Sequence, residues 1–213
     1  MSINTSSIVY VYADQFLEDR PRRGGVKLPC REVRVKKREL AETAMVAAFV
    51  GLTEAKQIRL SIGKRRVLLG LRKRPAVFVA SLINATSARG LEARILESLK
   101  GSQDPKPVLD IVAGVVPISE DPWGGVIARI EEDMLEQGFF VEGERGKAAQ
   151  FFLGKKLEPD CQRIAAFQDQ AGLAAQRMSS FRHANHAIYE QLVKDVHQGI
   201  RARLEVDVDV DFD

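Results

Sequence analysis

Two triplets of basic side chains, separated by five residues, have the clearest chemical potential in this 213-residue sequence. They are Lys64, Arg65 and Arg66, followed by Arg72, Lys73 and Arg74. Cations held together on a rigid support attract anionic surfaces, so the pattern predicts polyanion binding. Cations on an exposed hairpin also keep an edge strand from pairing with other chains, and this structural role is the alternative.

The residues around the two triplets predict a β-hairpin that would hold them. Apolar and polar residues alternate from Ile58 to Ile62, Gly63 offers a turn, and an apolar run resumes from Val67 to Leu71. This arrangement places the first triplet at the tip of the hairpin and the second at the far end of its second strand. The six cations would then share one support.

Two further features add to the candidate ligand-binding residues. The segment RPRRGG predicts a flexible basic loop, whose Arg22 and Arg23 would add to the positive field of the hairpin. Trp123, the only tryptophan, stands between a proline and two glycines. It is either an interfacial aromatic residue, a base-stacking platform or a hydrophobic staple that closes a helix onto the core.

The remaining polar residues do not form a recognisable catalytic or metal-binding pattern. The sequence has no GxGxxG, Walker A, GxSxG or HExxH motif. His183 and His186 lie three residues apart on one predicted helix face, but a zinc site needs further ligands. Three consecutive acids, Glu131 to Asp133, point in different directions on a helix and do not form a catalytic pair. We therefore expect a protein that is not an enzyme and has neither a cofactor nor a metal.

Charge and cysteine usage narrow the class of protein. Residues 1–100 carry 20 Lys and Arg against 9 Asp and Glu, whereas residues 101–213 carry 12 against 20. Such a dipolar chain can turn its basic half toward nucleic acid or lipid headgroups. Cys30 and Cys161 are far apart and form no CxxC motif, which favours a reducing compartment. With neither a secretory signal nor a membrane-spanning run, the prediction is a cytoplasmic protein, peripheral on a membrane surface if it binds lipid.

Hydrophobic periodicity predicts a mainly α protein with small β-hairpins, an α+β fold in one compact domain. Its parts are an edge strand and basic loop over 1–37, a helical domain over 38–204 and an acidic tail over 205–213. Within the domain, units 38–74 and 121–157 each read as a helix followed by a hairpin, which resembles a winged helix.

Individual elements of this architecture follow from local patterns. Predicted strands include Ser7 to Tyr12 and Ala76 to Ile83, and a second hairpin is predicted from Phe139 to Leu153. The other predicted helices are a central apolar one from residue 38 to 53, and those over 87–99, 108–116, 123–137, 159–177 and 182–204. Asp121 is placed as an N-cap and Gly138 as the residue that ends the helix between them. The tail EVDVDVDFD alternates acid and hydrophobe, so it either pairs with a sheet edge, drives self-association or is disordered.

The order of these elements resembles the Golgi phosphoprotein 3-like family over roughly residues 40–205. The similar segments are AMVAAFVGLTEAKQIRLSIGKRRVLL, ARGLEARILESLKGSQDPKPVLDIV and VIARIEEDMLEQGFFVEGERGKAAQFFLGKKLEPD. The resemblance implies a mostly helical lipid-binding adaptor. Family members bind phosphatidylinositol 4-phosphate through a tryptophan, an arginine and two basic residues, and these positions fall near Lys36, Met45, Gly124 and Ile127 here. This departure predicts electrostatic attachment in place of a specific headgroup pocket.

The leading functional hypothesis is therefore a non-enzymatic peripheral adaptor that binds anionic phospholipid, of the phosphoinositide type, through its basic face. A tandem winged-helix protein that binds nucleic acid is the first alternative, although neither helix that precedes a hairpin is basic. The second alternative is a structural subunit of a larger assembly, which would have a protein partner or associate with itself.

Overall fold

A computed structural model describes residues 3–17, 25–67, 72–82, 88–102, 104–143 and 156–205. Within these residues the chain forms helices and short antiparallel sheets, which confirms the predicted mainly α class with small β-hairpins. The elements are α1 Thr5–Val11, a 3-10 turn Ala13–Gln15, β1 Val26–Lys27, β2 Arg34–Val35, α2 Lys37–Glu54, β3 Ile58–Val67, β4 Arg72–Ser81, α3 Gly90–Leu99, β5 Lys106–Pro107, α4 Val108–Val115, α5 Pro122–Glu136, β6 Phe140–Gly143, β7 Lys156–Pro159, α6 Cys161–Ala165, α7 Gln168–Ala184 and α8 His186–Arg201.

Helix α2 is the centre of the fold. Its apolar residues surround the helix axis, and small alanines let other helices approach its backbone closely. Helices α1, α5 and α8 pack against it, and most of its residues from Leu40 to Leu52 are buried. This confirms the prediction of a central buried helix, which enters the longest hairpin directly.

That hairpin consists of β3 and β4, paired antiparallel in an unbroken register from Ile58↔Ser81 to Val67↔Arg72. The predicted turn at Gly63 is wrong, because β3 continues straight through it. Glycine is needed there for another reason: the ring of Phe78 lies where a side chain would be, and a Cβ on Gly63 would come within 2.7 Å of it. Residues 68–71, which connect the strands, lie outside the described residues.

The prediction for the N-terminal segment also needs correction, because Ser7 to Tyr12 is helical and not an edge strand. Helix α1 is too buried to expose a strand edge, with residues 6 to 11 all in the core. β-Branched and aromatic side chains favour strands only weakly, and packing against α2 and α5 outweighs that preference here. The predicted basic loop, with Arg22 and Arg23, lies outside the described residues.

Helix α5 forms as its end signals predict. The Asp121 carboxylate accepts a hydrogen bond from the Gly124 N–H (2.9 Å), and Pro122 occupies the first turn. Gly138 ends the helix with φ +73°. Strand β6 follows, and it pairs with β7 at Lys156–Pro159. The predicted return strand over 149–153 lies outside the described residues.

The two cysteines form a disulfide, although their wide separation in the sequence led to the expectation of a reducing compartment. Cys30 and Cys161 are bonded across 131 positions of sequence, so the loop after β1 is tied to the start of α6. Structural disulfides are rare where thiols are kept reduced. The argument from cysteine spacing to a reducing compartment therefore no longer holds.

The C-terminal part contains α6, α7 and α8, where the sequence predicts two helices. Beyond α8, Leu204 forms a parallel bridge with Ser119, and the Glu205 N–H donates to the Ser119 carbonyl (3.0 Å). Residues 206–213 of the acidic tail lie outside the described residues. Within the described part of the chain, none of the helices combines the length and apolar character needed to cross a membrane.

Candidate anion-binding hairpin

The two basic triplets lie side by side across the end of the β3–β4 hairpin. The register pairs Arg65 with Arg74 and Arg66 with Lys73, and it places Arg72 opposite Val67. Side chains directly opposite each other project from the same face of a sheet, and successive ones alternate. Lys64, Arg66 and Lys73 therefore share one face of the hairpin, and Arg65, Arg72 and Arg74 share the other. We name these six residues the hairpin cations.

The hairpin cations lie close together, and among the described residues few carboxylates neutralise their positive charges. Like charges directly opposite each other destabilise a strand pair, and this hairpin has two such pairs. Arg65 forms an ion pair with Asp110 on α4 (2.7 Å). In the part of the chain that the structure describes, the other five form no ion pair. The arrangement has an electrostatic cost that a bound anion would relieve.

A cavity of about 430 Å³ lies between the hairpin and helix α8. Three cations contribute to its wall, namely Arg65 and Arg74 from the hairpin and Lys194 from α8. Gln191 and Gln198 line the same cavity. Guanidinium, ammonium and amide donors around one opening are the groups that bind phosphate or carboxylate oxygens.

Asp195 attaches α8 to the hairpin and fixes the position of this cavity. Its carboxylate is buried and accepts the Val77 N–H (2.6 Å) and the Gln191 side-chain amide (2.8 Å). Burial raises the pKa of Asp195 above its usual range, while the two hydrogen bonds and the nearby charge of Arg65 oppose that shift. Asp195 therefore links strand β4 to helix α8, and both of its carboxylate oxygens already accept hydrogen bonds.

Trp123, for which the sequence left three roles open, takes part in the packing between helices. Its indole N–H donates to the Glu42 carboxylate (3.0 Å), and its half-buried ring packs against the core. Glu42 also accepts hydrogen bonds from Arg38 and His197, so it joins α2, α5 and α8. The ring is engaged in the junction of these helices.

Of the predicted site residues, the structure brings together the six hairpin cations and places Trp123 elsewhere. Arg22 and Arg23 lie outside the described residues. Sequence reasoning missed Lys194 and Asp195 as parts of the site. In the sequence, Lys194 lies on the polar side of the amphipathic helix α8 and Asp195 lies on its buried side. This pattern identifies the buried face of the helix, but not the strand against which that face packs.

All three histidines lie on α7 and α8. Among the described residues there is no group of three or more His, Cys, Asp or Glu side chains that could hold a metal ion. His183 and His186 border a separate cavity between the start of the chain and α7.

Comparison of the whole chain with protein-family models, with curated proteins and with solved structures gives no match in any of the three. The resemblance to the Golgi phosphoprotein 3-like family therefore stays a prediction.

Proposed function

We propose that this chain is a non-enzymatic peripheral protein that binds anionic phospholipid surfaces through the hairpin cations. The observation that carries the proposal is the close packing of six cations at the hairpin end, five of them without a carboxylate partner in the described chain. An anionic leaflet supplies the missing negative charge.

The arrangement suits a surface better than a deep pocket. A Lys or Arg near an anionic leaflet contributes about 1 kcal/mol, so the three cations on one face of the hairpin attach a protein reversibly and in a salt-dependent way. The face with Lys64, Arg66 and Lys73 also carries Ile62, whose side chain is 47% exposed. The apolar side chain beside three cations can enter the boundary between headgroups and acyl chains.

The cavity beside α8 supplies a second, more enclosed contact for the same ligand chemistry. Arg65, Arg74 and Lys194 line it, so a headgroup phosphate there would have cationic donors from both the hairpin and the helix. We assign no role to the positions near Lys36, Met45, Gly124 and Ile127, because the side chains there do not form the family's basic pocket.

Vesicle flotation of the 213-residue chain tests the proposal. We expect recovery with vesicles that contain phosphatidylserine at low salt, a progressive loss as salt is raised, and no recovery with phosphatidylcholine alone. Equal recovery with both kinds of vesicle would contradict it. A gel shift with random duplex DNA is the second arm, and binding to duplex without binding to anionic vesicles would assign the cations to nucleic acid.

A further inference from the structure

A cavity of about 680 Å³ lies where residues 15–16 meet helices α2, α7 and α8. Its volume is within the range of roughly 300–1,000 Å³ that is usual for small-molecule sites. None of the hairpin cations lines it, so it is separate from the surface that the lipid proposal uses.

The bend between α7 and α8 brings side chains of both helices to this cavity. One residue joins the two helices. On α7, spacings of three and four residues place Ser179, Arg182 and His183 on one side of the helix. His186 and Tyr189 follow in the first turn of α8 and line the same cavity.

The polar side chains around this cavity have unused hydrogen-bonding capacity. Among the described residues, six of them form no hydrogen bond with the protein, namely Gln15, Thr43, Ser179, His183, His186 and Tyr189. Thr43 illustrates this, because a helix threonine commonly bonds to the preceding turn, as Thr53 does to the Phe49 carbonyl (2.8 Å). The half-buried Thr43 hydroxyl is left for another partner.

The cavity wall carries donors and positive charge. No described residue that lines it has a carboxylate. Arg182 lies over the Tyr189 ring, 5.6 Å from its centroid, and its ion-pair partner Glu190 is 4.0 Å away, beyond hydrogen-bond length. Asp14, the neighbour of Gln15 in sequence, is paired with Arg31. Burial raises the pKa of Tyr189, so its hydroxyl remains a donor.

These groups suit a phosphate monoester. Such an anion has three terminal oxygens and a charge of about −1.5 to −2 at neutral pH. Guanidinium, imidazole and hydroxyl groups can all donate to those oxygens, and the set is larger than the two oxygens of a carboxylate would use. The same wall includes Phe16, Met178 and the ring of Tyr189, which offer an apolar surface to the organic part of a ligand.

We propose that this cavity binds a small, water-soluble organic phosphate, with the phosphoryl group toward Arg182, His183 and His186 and the organic part against Phe16 and Met178. The inference goes beyond lipid binding at the hairpin, since the two sites share no residue. Either proposal can therefore fail alone.

NMR of the histidine rings in the 213-residue chain tests this inference at constant pH in a phosphate-free buffer. The probe is phenyl phosphate, compared with inorganic phosphate and with phenol. We expect phenyl phosphate to give a saturable shift of the His183 and His186 signals, inorganic phosphate to bind more weakly and phenol to leave them in place. His197, which bonds to Glu42 (2.8 Å) elsewhere on α8, is the internal reference. Failure of phenyl phosphate to move the His183 and His186 signals in the millimolar range would overturn the proposal.

Two variants locate the ligand. Arg182→Gln should weaken phenyl phosphate binding at least about tenfold, the effect of losing one hydrogen bond to a charged group. The matched control is Arg177→Gln, which makes the same charge change on the same helix at an exposed residue that does not line this cavity. Tyr189→Phe keeps the ring and removes the unbonded hydroxyl, so it should also weaken binding while leaving the melting temperature almost unchanged. Equal binding by Arg182→Gln and Arg177→Gln would contradict the assignment.

Vesicles that contain phosphatidic acid distinguish a free phosphate from a lipid headgroup. We expect Arg182→Gln to float with them as well as the unmodified chain does, because the ligand of this cavity is a free small molecule. Loss of flotation in Arg182→Gln, together with no response to phenyl phosphate in the unmodified chain, would assign the cavity to a headgroup and overturn the proposal.

Discussion

Replacing Glu92 by glutamine should change how stability depends on pH. Glu92 lies on α3 with 5% of its surface exposed, and its two oxygens accept the Ser6 N–H (2.8 Å) and the Ser6 hydroxyl (2.7 Å). Burial raises the pKa of Glu92 to about 6, and the negative charge of Asp133 adds to this, while the bonds from Ser6 oppose it. Burial therefore favours the protonated form of Glu92 in the folded protein, although the hydrogen bonds from Ser6, which tie α1 to α3, favour the ionised form.

The direction in which stability changes with pH follows from the raised pKa of Glu92. A carboxyl group that titrates higher in the folded state than in the unfolded chain contributes stability that is complete below the unfolded pKa and is lost as pH rises through the folded one. From the ordinary value of 4.5 to about 6, the difference is about 2 kcal/mol at 1.36 kcal/mol per pKa unit. A glutamine cannot ionise, yet it can accept the Ser6 N–H and donate to the Ser6 hydroxyl.

Urea denaturation, followed by circular dichroism between pH 4 and pH 8, measures this effect. Relative to the unmodified chain, Glu92→Gln should gain about 2 kcal/mol of unfolding free energy as pH rises from 4 to 7. Asp133, whose pKa is also raised by burial, titrates in both proteins, so the difference between them reports mainly on Glu92 and on its repulsion with Asp133. A difference between the two proteins that stays constant over this range would refute the reasoning.

Two further predictions concern the contacts that hold the fold together. Replacing Cys30 and Cys161 by serine, or reducing the disulfide, should lower the unfolding free energy by up to about 5 kcal/mol, because the bond closes a loop of 131 positions; equal urea midpoints for oxidised and reduced protein would contradict this. Asp195→Ala should cost about 1–3 kcal/mol, since it leaves the buried Val77 N–H without an acceptor. Asp195→Asn, which keeps a carbonyl oxygen there, should lose clearly less when the unmodified chain and both variants are compared by thermal melting.

Elements with local signals could be predicted from the sequence. Helix α5 begins at an Asp-Pro pair and ends at a glycine, and each of these residues acts within its own helix turn. The central helix α2 could be predicted for a similar reason, because apolar residues surround the helix axis from Leu40 to Leu52. The six hairpin cations could also be predicted as a basic cluster, since they are contiguous in two short segments.

The remaining features depend on contacts between distant residues. Gly63 resembles a turn residue, but its lack of a side chain is required by Phe78 on the neighbouring strand. The N-terminal segment has strand-forming side chains and becomes a helix because it is enclosed by other helices. The disulfide joins Cys30 to Cys161, and Lys194 reaches the hairpin only through the packing of α8. These contacts cannot be predicted from a local sequence pattern, because each of them joins residues that are not neighbours in the sequence.

Flotation of two charge-matched variants with phosphatidylserine vesicles tests the central claim most directly. Lys64→Glu with Arg66→Glu reverses two exposed hairpin cations, whereas Arg94→Glu with Arg177→Glu reverses two exposed cations on α3 and α7. Losing two membrane-facing cations removes about 2 kcal/mol, so the hairpin variant should bind at least roughly 30-fold more weakly than the unmodified chain. The helix variant should be recovered almost as well as the unmodified chain. Equal loss in both variants would contradict the account, because net charge alone, and not the hairpin, would then govern binding.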